Sequence, residues 1–152
     1  MSTRPLSDQE FKDIYSRVPR LCVDPVIRSA QGIILSLRTL PSYHNQWHTP
    51  GGTVLYRESV VDAAHRKARE ELGIDIRILG TLGYIEYPSE VAERGYGYTV
   101  SINLLAETDA TTLTLDHQAS EARFFTSLPD HTIAEQREFL TAHWDTIKKG
   151  AF

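Results

Sequence analysis

The chain has little of several features that would define its class at once. It contains one cysteine, Cys22, so an internal disulfide cannot form and a disulfide-rich secreted scaffold is excluded. No apolar run reaches the length of a membrane helix or of a signal-peptide core. We therefore expect no membrane association and a cytoplasmic protein.

A basic excess is also missing. The 16 Lys and Arg residues are outnumbered by 20 Asp and Glu residues, which gives a formal net charge of -4. Proteins that bind nucleic acids usually carry a clear positive excess to neutralise phosphates. No nucleic-acid partner is expected, and any anionic ligand has to be held by a local group of cations.

What the chain does contain is typical of a globular domain. Hydrophobic residues make up 41% and charged residues 24%, both close to globular averages. A length of 152 residues suits one domain with its own core, and no internal repeat is visible. We expect a single domain over residues 1–152. The oligomeric state stays open, with a homodimer among the alternatives.

Helix and strand patterns are mixed along the chain. Ser7 and Glu10 have the spacing of a capping box and precede a short helical stripe. In the first predicted strand, Pro25 would remove a ladder donor, which predicts an edge position or a bulge. The mixture without a repeat predicts a layered α/β domain. The predicted strands cover residues 21–27, 33–37, 74–78, 82–87, 96–104 and 122–125. Residues 88–95 are expected to form a polar loop, and an apolar stripe of Ile133, Leu140, Trp144 and Ile147 predicts a C-terminal helix.

The central stretch, residues 50–76, differs from ordinary scaffold. Ser59 can cap a helix over residues 60–72, and Gly73 supplies the left-handed position that commonly ends one. Small side chains on one stripe would let this helix lie close to a sheet. The stripe predicted to face the core consists of Val61, Ala64, Ala68 and Leu72.

Acidic residues on this helix indicate metal chemistry. Glu70 and Glu71 are adjacent, so they diverge by about 100° and can reach different coordination positions of one ion. Carboxylates at this density suit Mg²⁺ or Mn²⁺. Gly51 and Gly52 allow a sharp turn that presents a backbone carbonyl to the same ion. The alternative is a solvated helix face with surface ion pairs of little energetic value.

The spacing of this stretch resembles the Nudix box, G-x5-E-x7-R-E-U-x-E-E-x-G-U. The resemblance implies an α/β/α sandwich around a mixed β-sheet, in which a loop, helix and loop hold divalent metal against a diphosphate. One position departs, because Lys67 stands where the family has a glutamate. The matching positions are Gly52, Glu58, Arg66, Glu70, Glu71, Gly73 and Ile74, with Ala68 at an apolar position.

The resemblance also implies roles for individual residues. The expected activity is hydrolysis of a nucleoside diphosphate linked to another moiety, such as a nucleotide sugar, with Mg²⁺ or Mn²⁺ as cofactor. Arg66 would orient the acids, and Glu70 or the later Glu121 would act as general base. Arg38 is a candidate for binding phosphate, and Trp47 is either a substrate contact or a core residue. The expected metal-binding positions are Gly51, Gly52, Glu58, Glu70, Glu71 and Gln118.

A weaker likeness links the chain to the GDP-mannose mannosyl hydrolase branch of the family. It rests on residues 10–38, which include Asp24 and Arg38, and on the departure at Lys67. That branch has a glutamine followed by a catalytic histidine, whereas here Gln118 is followed by Ala119. Three alternatives follow: attack of water at phosphorus, attack at the sugar carbon, or a nucleotide-binding domain without turnover.

Lys67 itself has two interpretations. It lies one helical turn before both Glu70 and Glu71, so its ammonium can neutralise charge that the family uses to bind metal. A reduced number of bound ions would follow. Alternatively, its long stem lets the ammonium point to solvent.

Overall fold

The computed structural model describes residues 5–117 and 119–152. In these ranges a mixed β-sheet lies between helices on its two faces. The strands are β1 (Arg20–Ser29), β2 (Gly32–Arg38), β3 (Trp47–His48), β4 (Gly52–Thr53), β5 (Arg77–Glu86), β6 (Thr99–Glu107) and β7 (Ala119–Phe125). The helices are α1 (Asp8–Tyr15), α2 (Val60–Leu72), α3 (Glu90–Arg94), α4 (Ala134–Ala142) and α5 (Trp144–Lys149).

The sheet follows the order β3-β2-β1-β6-β5, while β4 pairs with β1 and β7 pairs with β2. Strands β1 and β6 run parallel, from the pair Arg20 and Thr99 to the pair Arg28 and Glu107. The other pairings are antiparallel. The sheet is therefore mixed, as predicted, and β1 lies in its middle.

Alternation along the central strands creates the two layers of the sandwich. Side chains of a strand point to opposite faces in turn. Val23 and Ile27 of β1 pack with Leu72 of α2, whereas Val26 packs with Leu140 of α4 on the opposite face. The expected α/β/α architecture is confirmed, because each face of the sheet is covered by helices.

The prediction that Pro25 places its strand at an edge or on a bulge was wrong. Strand β1 pairs with β6 throughout, including Pro25 opposite Leu104. On its other side, the described pairing with β4 ends at Val23 and the pairing with β2 begins at Arg28. The proline lies in the interval between these two pairings, where a missing donor costs no ladder bond on that side.

The helix predictions needed three corrections. Helix α2 has the predicted bounds, but Val61 is exposed and Ala63 is buried in its place on the core face. Residues 88–95 were expected to form a loop and instead contain the short helix α3. The C-terminal helix is interrupted at His143, which separates α4 from α5. No helix in the described ranges combines the length and apolar character needed to cross a membrane.

Candidate active site

Helix α2 is fixed at both ends, and this sets the direction of its functional side chains. The Ser59 side chain accepts a hydrogen bond from the Asp62 amide at 3.0 Å, and Gly73 adopts a left-handed conformation with φ of 65°. Ala63, Ala64 and Ala68 are fully buried against the sheet. The polar residues of α2 are therefore held beside the loop that precedes it.

Arg66 connects that loop to α2 through hydrogen bonds. Its Nε lies 2.7 Å from Glu58 Oε2 and its Nη2 lies 2.9 Å from Glu58 Oε1, which is a two-point contact. It also donates to the Thr53 carbonyl at 3.0 Å and to Glu70 Oε2 at 3.2 Å. The hydrogen bond from Arg66 lowers the pKa of Glu58. Arg66 thus orients two of the predicted metal-binding carboxylates.

Glu71 is the most enclosed of the acids on α2. One carboxylate oxygen accepts a hydrogen bond from the Gly51 amide at 3.0 Å, and the other lies 3.2 Å from Lys67 Nζ. Burial raises the pKa of Glu71 to about 7, and the nearby Lys67 charge opposes that rise. Lys67 Nζ also lies 3.6 Å from Glu70 Oε2. The prediction that Lys67 faces the acids is confirmed, and the solvent-facing alternative was wrong.

The two glycines of the loop have different structural requirements. A Cβ at Gly51 would overlap the carboxylate of Asp24 and the carbonyl oxygen of Val23. A Cβ at Gly52 would instead lie 3.0 Å from Lys67 Cε and 3.2 Å from Lys67 Nζ, at the flexible end of a side chain. Gly51 is therefore required by rigid neighbours, whereas Gly52 leaves room for Lys67.

A buried network of hydrogen bonds joins β1 to the segment that precedes the two glycines. Tyr87 donates to Asp24 Oδ2 at 3.1 Å, and Gln136 donates to the Tyr87 hydroxyl at 3.0 Å. The other end of the Gln136 amide accepts from the Thr49 amide at 2.8 Å. Burial raises the pKa of Asp24 to about 6, against the effect of the hydrogen bond from Tyr87.

His48, which precedes Thr49 of this hydrogen-bond network, is buried and uncharged. Its Nδ1 donates to the Thr49 carbonyl at 2.6 Å, since a carbonyl can only accept. Burial lowers the pKa of His48 to about 3, and the positive charge of Arg38 adds to the effect. A protonated imidazole is therefore excluded at this position near neutral pH.

Three further arginines, Arg20, Arg38 and Arg94, come to the site from elements other than α2. Arg20 donates to the Thr99 and Thr53 hydroxyls and forms an ion pair with Glu90 at 3.4 Å. The side chain of Arg94 lies 3.7 Å from the same carboxylate. Arg38 contacts only the carbonyl and hydroxyl of Ser42 by the hydrogen bonds described, and no carboxylate pairs with it in the described ranges. Burial, with the charge of Arg94, lowers the pKa of Arg38.

These groups line one cavity of about 360 Å³, within the usual size range of small-molecule sites. Five cationic side chains but only three acidic ones line it in the part of the chain that the structure describes. The cations are Arg20, Arg38, Arg66, Lys67 and Arg94, and the acids are Asp8, Asp24 and Glu90. Cationic side chains thus outnumber acidic ones on the wall of this cavity, and Arg66 and Lys67 among them also pair with Glu58, Glu70 and Glu71. An anionic ligand is the chemistry that such a lining favours.

The remaining site predictions lie elsewhere. Trp47 packs edge-on against Phe125 with ring centroids 4.8 Å apart and belongs to the core beside α4 and α5. Glu121 is on β7, where it pairs with Arg123 at 2.7 Å. Neither residue lines the cavity. Gln118 lies outside the described residues.

Several residues of the cavity were missed from the sequence. Asp24 had a usable signal, because a lone acid inside the apolar run of residues 21–27 is unusual unless it is hydrogen-bonded. Arg20, Glu90 and Arg94 had none, since Arg20 and Glu90 lie 70 residues apart in the chain. They meet because α3 directly precedes β6, which pairs with β1.

The donor chemistry of the site fits a hard divalent cation only in part. Glu70 and Glu71 offer carboxylate oxygens, and Gly51 and Gly52 can add a carbonyl. However, no group of three or more His, Cys, Asp or Glu residues within residues 5–117 and 119–152 is arranged to hold a metal by itself. Lys67 Nζ already contacts both carboxylates. The ammonium thus neutralises part of the negative charge of these two acids.

Comparison with known proteins gives a consistent result. Residues 18–144 match the family described as NUDIX domain. The chain is 33% identical over 126 residues to the low-salt glycan biosynthesis protein Agl8 of Haloferax volcanii, covering 81% of each chain. It is 28% identical over 107 residues to the ADP-ribose pyrophosphatase of Methanocaldococcus jannaschii, covering 70% of this chain and 62% of that protein.

A solved structure supports the fold independently. The MutT protein of Methanosarcina mazei Go1 superimposes with a TM-score of 0.74 at 20% identity. The match covers 87% of this chain and 98% of that one. At this identity the likeness concerns the arrangement of the sheet and helices.

Proposed function

The chain belongs to the Nudix hydrolase family, whose members act on nucleoside diphosphate derivatives, and from this premise we propose that it hydrolyses a nucleotide sugar or a similar nucleoside diphosphate linked to a second group. Water attacks phosphorus in the proposed reaction. Release of a nucleoside monophosphate and a phosphorylated second group would follow.

The charge distribution of the cavity carries this proposal. Four arginines and Lys67 line it beside helix α2, although the chain as a whole has a negative net charge. A diphosphate is a compact dianion that such a set can neutralise. The cavity volume of about 360 Å³ is at the lower end of the range for small-molecule sites, which suits one nucleotide-sized ligand.

The proposed metal is Mg²⁺ or Mn²⁺, in keeping with the general use of divalent ions by the family. Glu70 and Glu71, a carbonyl of Gly51 or Gly52 and, with less direct access, Glu58 would hold it. When bound, the ion would polarise phosphate oxygens and activate water. Gln118, which lies outside the described residues, remains a predicted further ligand.

The residues of the chain divide the other tasks. Arg66 holds Glu58 and Glu70 in place through the contacts described above. Glu70 is the proposed general base, because Arg66 holds it in the same cluster as Glu58 and Glu71, whereas Glu121 lies on β7 and pairs with Arg123. Arg38 is the proposed phosphate contact, since its guanidinium lines the cavity and no carboxylate neutralises it within the described ranges.

The relatives favour a nucleotide sugar among the possible substrates. One is named as a low-salt glycan biosynthesis protein and the other as an ADP-ribose pyrophosphatase. Glycan assembly consumes activated sugars, and ADP-ribose is itself a sugar linked to a nucleoside diphosphate. Both names agree with a diphosphate between a nucleoside and a sugar.

A substrate panel tests the proposal. Nucleotide sugars with different bases, dinucleotides and nucleoside triphosphates are incubated with the protein in Mg²⁺ or Mn²⁺, and products are identified by mass spectrometry. We expect turnover of at least one nucleotide sugar. Absence of turnover across the panel, with measurable binding, would instead support a nucleotide-binding domain.

A second candidate reaction keeps the substrate but moves attack to the sugar carbon. The observation that favours it is Lys67, a buried cation at the box position where the family has a glutamate. Hydrolysis in ¹⁸O-water distinguishes the two reactions. Label in the released phosphate group supports attack at phosphorus, and label in the free sugar supports attack at carbon.

A further inference from the structure

Lys67 is held in a defined position. The residue is only 8% exposed although its side chain is long and charged. Its ammonium lies 3.2 Å from Glu71 Oε1 and 3.6 Å from Glu70 Oε2, and its stem passes close to Gly52. A lysine on a solvated helix face would keep its ammonium in water. This one is directed along the helix towards the two acids.

Lys67 differs from the two acids in its access to the cavity. Lys67 lines the cavity, whereas Glu70 and Glu71 are not among the described residues that line it. Glu71 is 6% exposed and is contacted by the Gly51 amide from its other side. A ligand entering the cavity therefore meets the positive charge of Lys67 before it meets these carboxylates.

The formal charges of the cluster explain what this cation does. Three carboxylates, those of Glu58, Glu70 and Glu71, are grouped with the two cations Arg66 and Lys67. The formal sum is one negative charge. A glutamate in place of Lys67 would make it three. The charge available to attract divalent ions is thus reduced by two through this single residue.

The donor capacity of an ammonium leaves room for a ligand. Lysine carries three N–H donors and no acceptor. At most two of these donors face Glu71 at 3.2 Å and Glu70 at 3.6 Å, and the longer distance is an ion pair and not a hydrogen bond. A third donor can meet an oxygen in the cavity, where Arg38 and Arg66 supply further positive charge. Phosphate oxygens are acceptors that lysine commonly binds as a point charge.

We infer that the Lys67 ammonium is a built-in cation that binds the substrate diphosphate directly and takes the place of one divalent ion beside Glu70 and Glu71. This inference rests on the proposed function, because it assumes a diphosphate in the cavity. It predicts that the protein keeps part of its diphosphate affinity without metal. It also predicts that removal of Lys67 changes metal stoichiometry and diphosphate binding in opposite directions.

The first experiment measures binding of inorganic pyrophosphate in EDTA by isothermal titration calorimetry. The wild-type protein should bind, and Lys67→Met should bind about 10- to 100-fold more weakly, the range expected for one charged hydrogen bond. Lys67→Arg should retain most of the affinity. Lys149→Met, which removes an exposed lysine at the end of α5, is the matched control and should bind like the wild type.

A second pair of variants serves as a control for a folding defect. Lys67→Met leaves buried Glu71 without its neighbouring cation, which costs stability. The same substitution is therefore also made in a Glu71→Gln background and compared with Glu71→Gln alone. Thermal unfolding is recorded for each variant, so that the pyrophosphate comparison is made between folded proteins, and the double variant has the same net charge as the wild type.

The second experiment counts bound Mn²⁺ by electron paramagnetic resonance without substrate. Lys67→Glu should bind one more ion than the wild type, or bind Mn²⁺ at least tenfold more tightly. Unchanged Mn²⁺ binding in Lys67→Glu, or equal pyrophosphate affinity of wild type and Lys67→Met in EDTA, would overturn the inference. Turnover of a nucleotide sugar by the wild type is a separate readout, so failure of the proposed function would be recognised independently.

Discussion

Replacing Asp24 by asparagine should stabilise the protein near neutral pH. The Asp24 carboxyl is buried beneath Gly51 and accepts a hydrogen bond from Tyr87. Burial raises its pKa from 3.8 to about 6. The folded state therefore holds its proton more tightly than the unfolded state, and ionising the group as the pH rises costs folding free energy.

The magnitude follows from the size of the shift. A rise of roughly two pKa units corresponds to about 3 kcal/mol at 1.36 kcal/mol per unit. This contribution is fully present below pH 3.8, is lost progressively up to about pH 6 and is absent above it. Asparagine keeps an acceptor for Tyr87 but never ionises. The variant should match the wild type at low pH and exceed it by up to about 3 kcal/mol at pH 7.

The assay is urea unfolding of both proteins from pH 3.5 to 7.5, with the difference in unfolding free energy plotted against pH. At neutral pH the melting temperature should rise by roughly 6 to 12 °C for a chain of this size. Asp130→Asn, at an exposed position, is the control and should show no such trend. A constant difference across the pH range would refute the reasoning, because it would mean that Asp24 does not titrate differently on folding.

Three other predictions concern the loop and the cavity. Gly51→Ala should lower the melting temperature through overpacking that costs about 1–3 kcal/mol, whereas Gly52→Ala should cost less since it meets only a flexible side chain; equal losses would contradict this. Arg66→Met should lower the unfolding free energy measured by urea denaturation by about 2 kcal/mol, because Glu58 loses a two-point contact. An unchanged unfolding free energy would contradict a stabilising role of the Arg66–Glu58 contact. Arg38→Met should raise KM for the best substrate about tenfold with little change in melting temperature; an unchanged KM would remove it from the binding site.

Local rules predicted helix α2 well. Its N-terminal Ser59 and its C-terminal Gly73 act within one turn of the chain, so the spacing alone sets the bounds. The face it buries was less predictable. Val61 and Ala63 could each continue the apolar stripe, and the choice of Ala63 depends on how close the helix lies to the sheet.

Helix α4 shows why local rules fail elsewhere. Thr132 and Glu135 have the spacing of a capping box, yet no side chain caps α4. The Glu135 carboxylate instead accepts hydrogen bonds from the amide and hydroxyl of Ser89. A contact between segments 46 residues apart has replaced the local one, and its partner cannot be inferred from the spacing.

The bounds of α2 and the grouping of Glu58, Arg66, Glu70 and Glu71 can be read from the sequence, because they depend on spacing within one helix and its preceding loop. The α/β class can be read from the mixture of helix and strand patterns. The inward direction of Lys67 and the cavity that it shares with Arg20, Arg38 and Arg94 are visible only in the folded protein. Burial and charge at this site come from strands and loops far apart in the chain, which the sheet brings together.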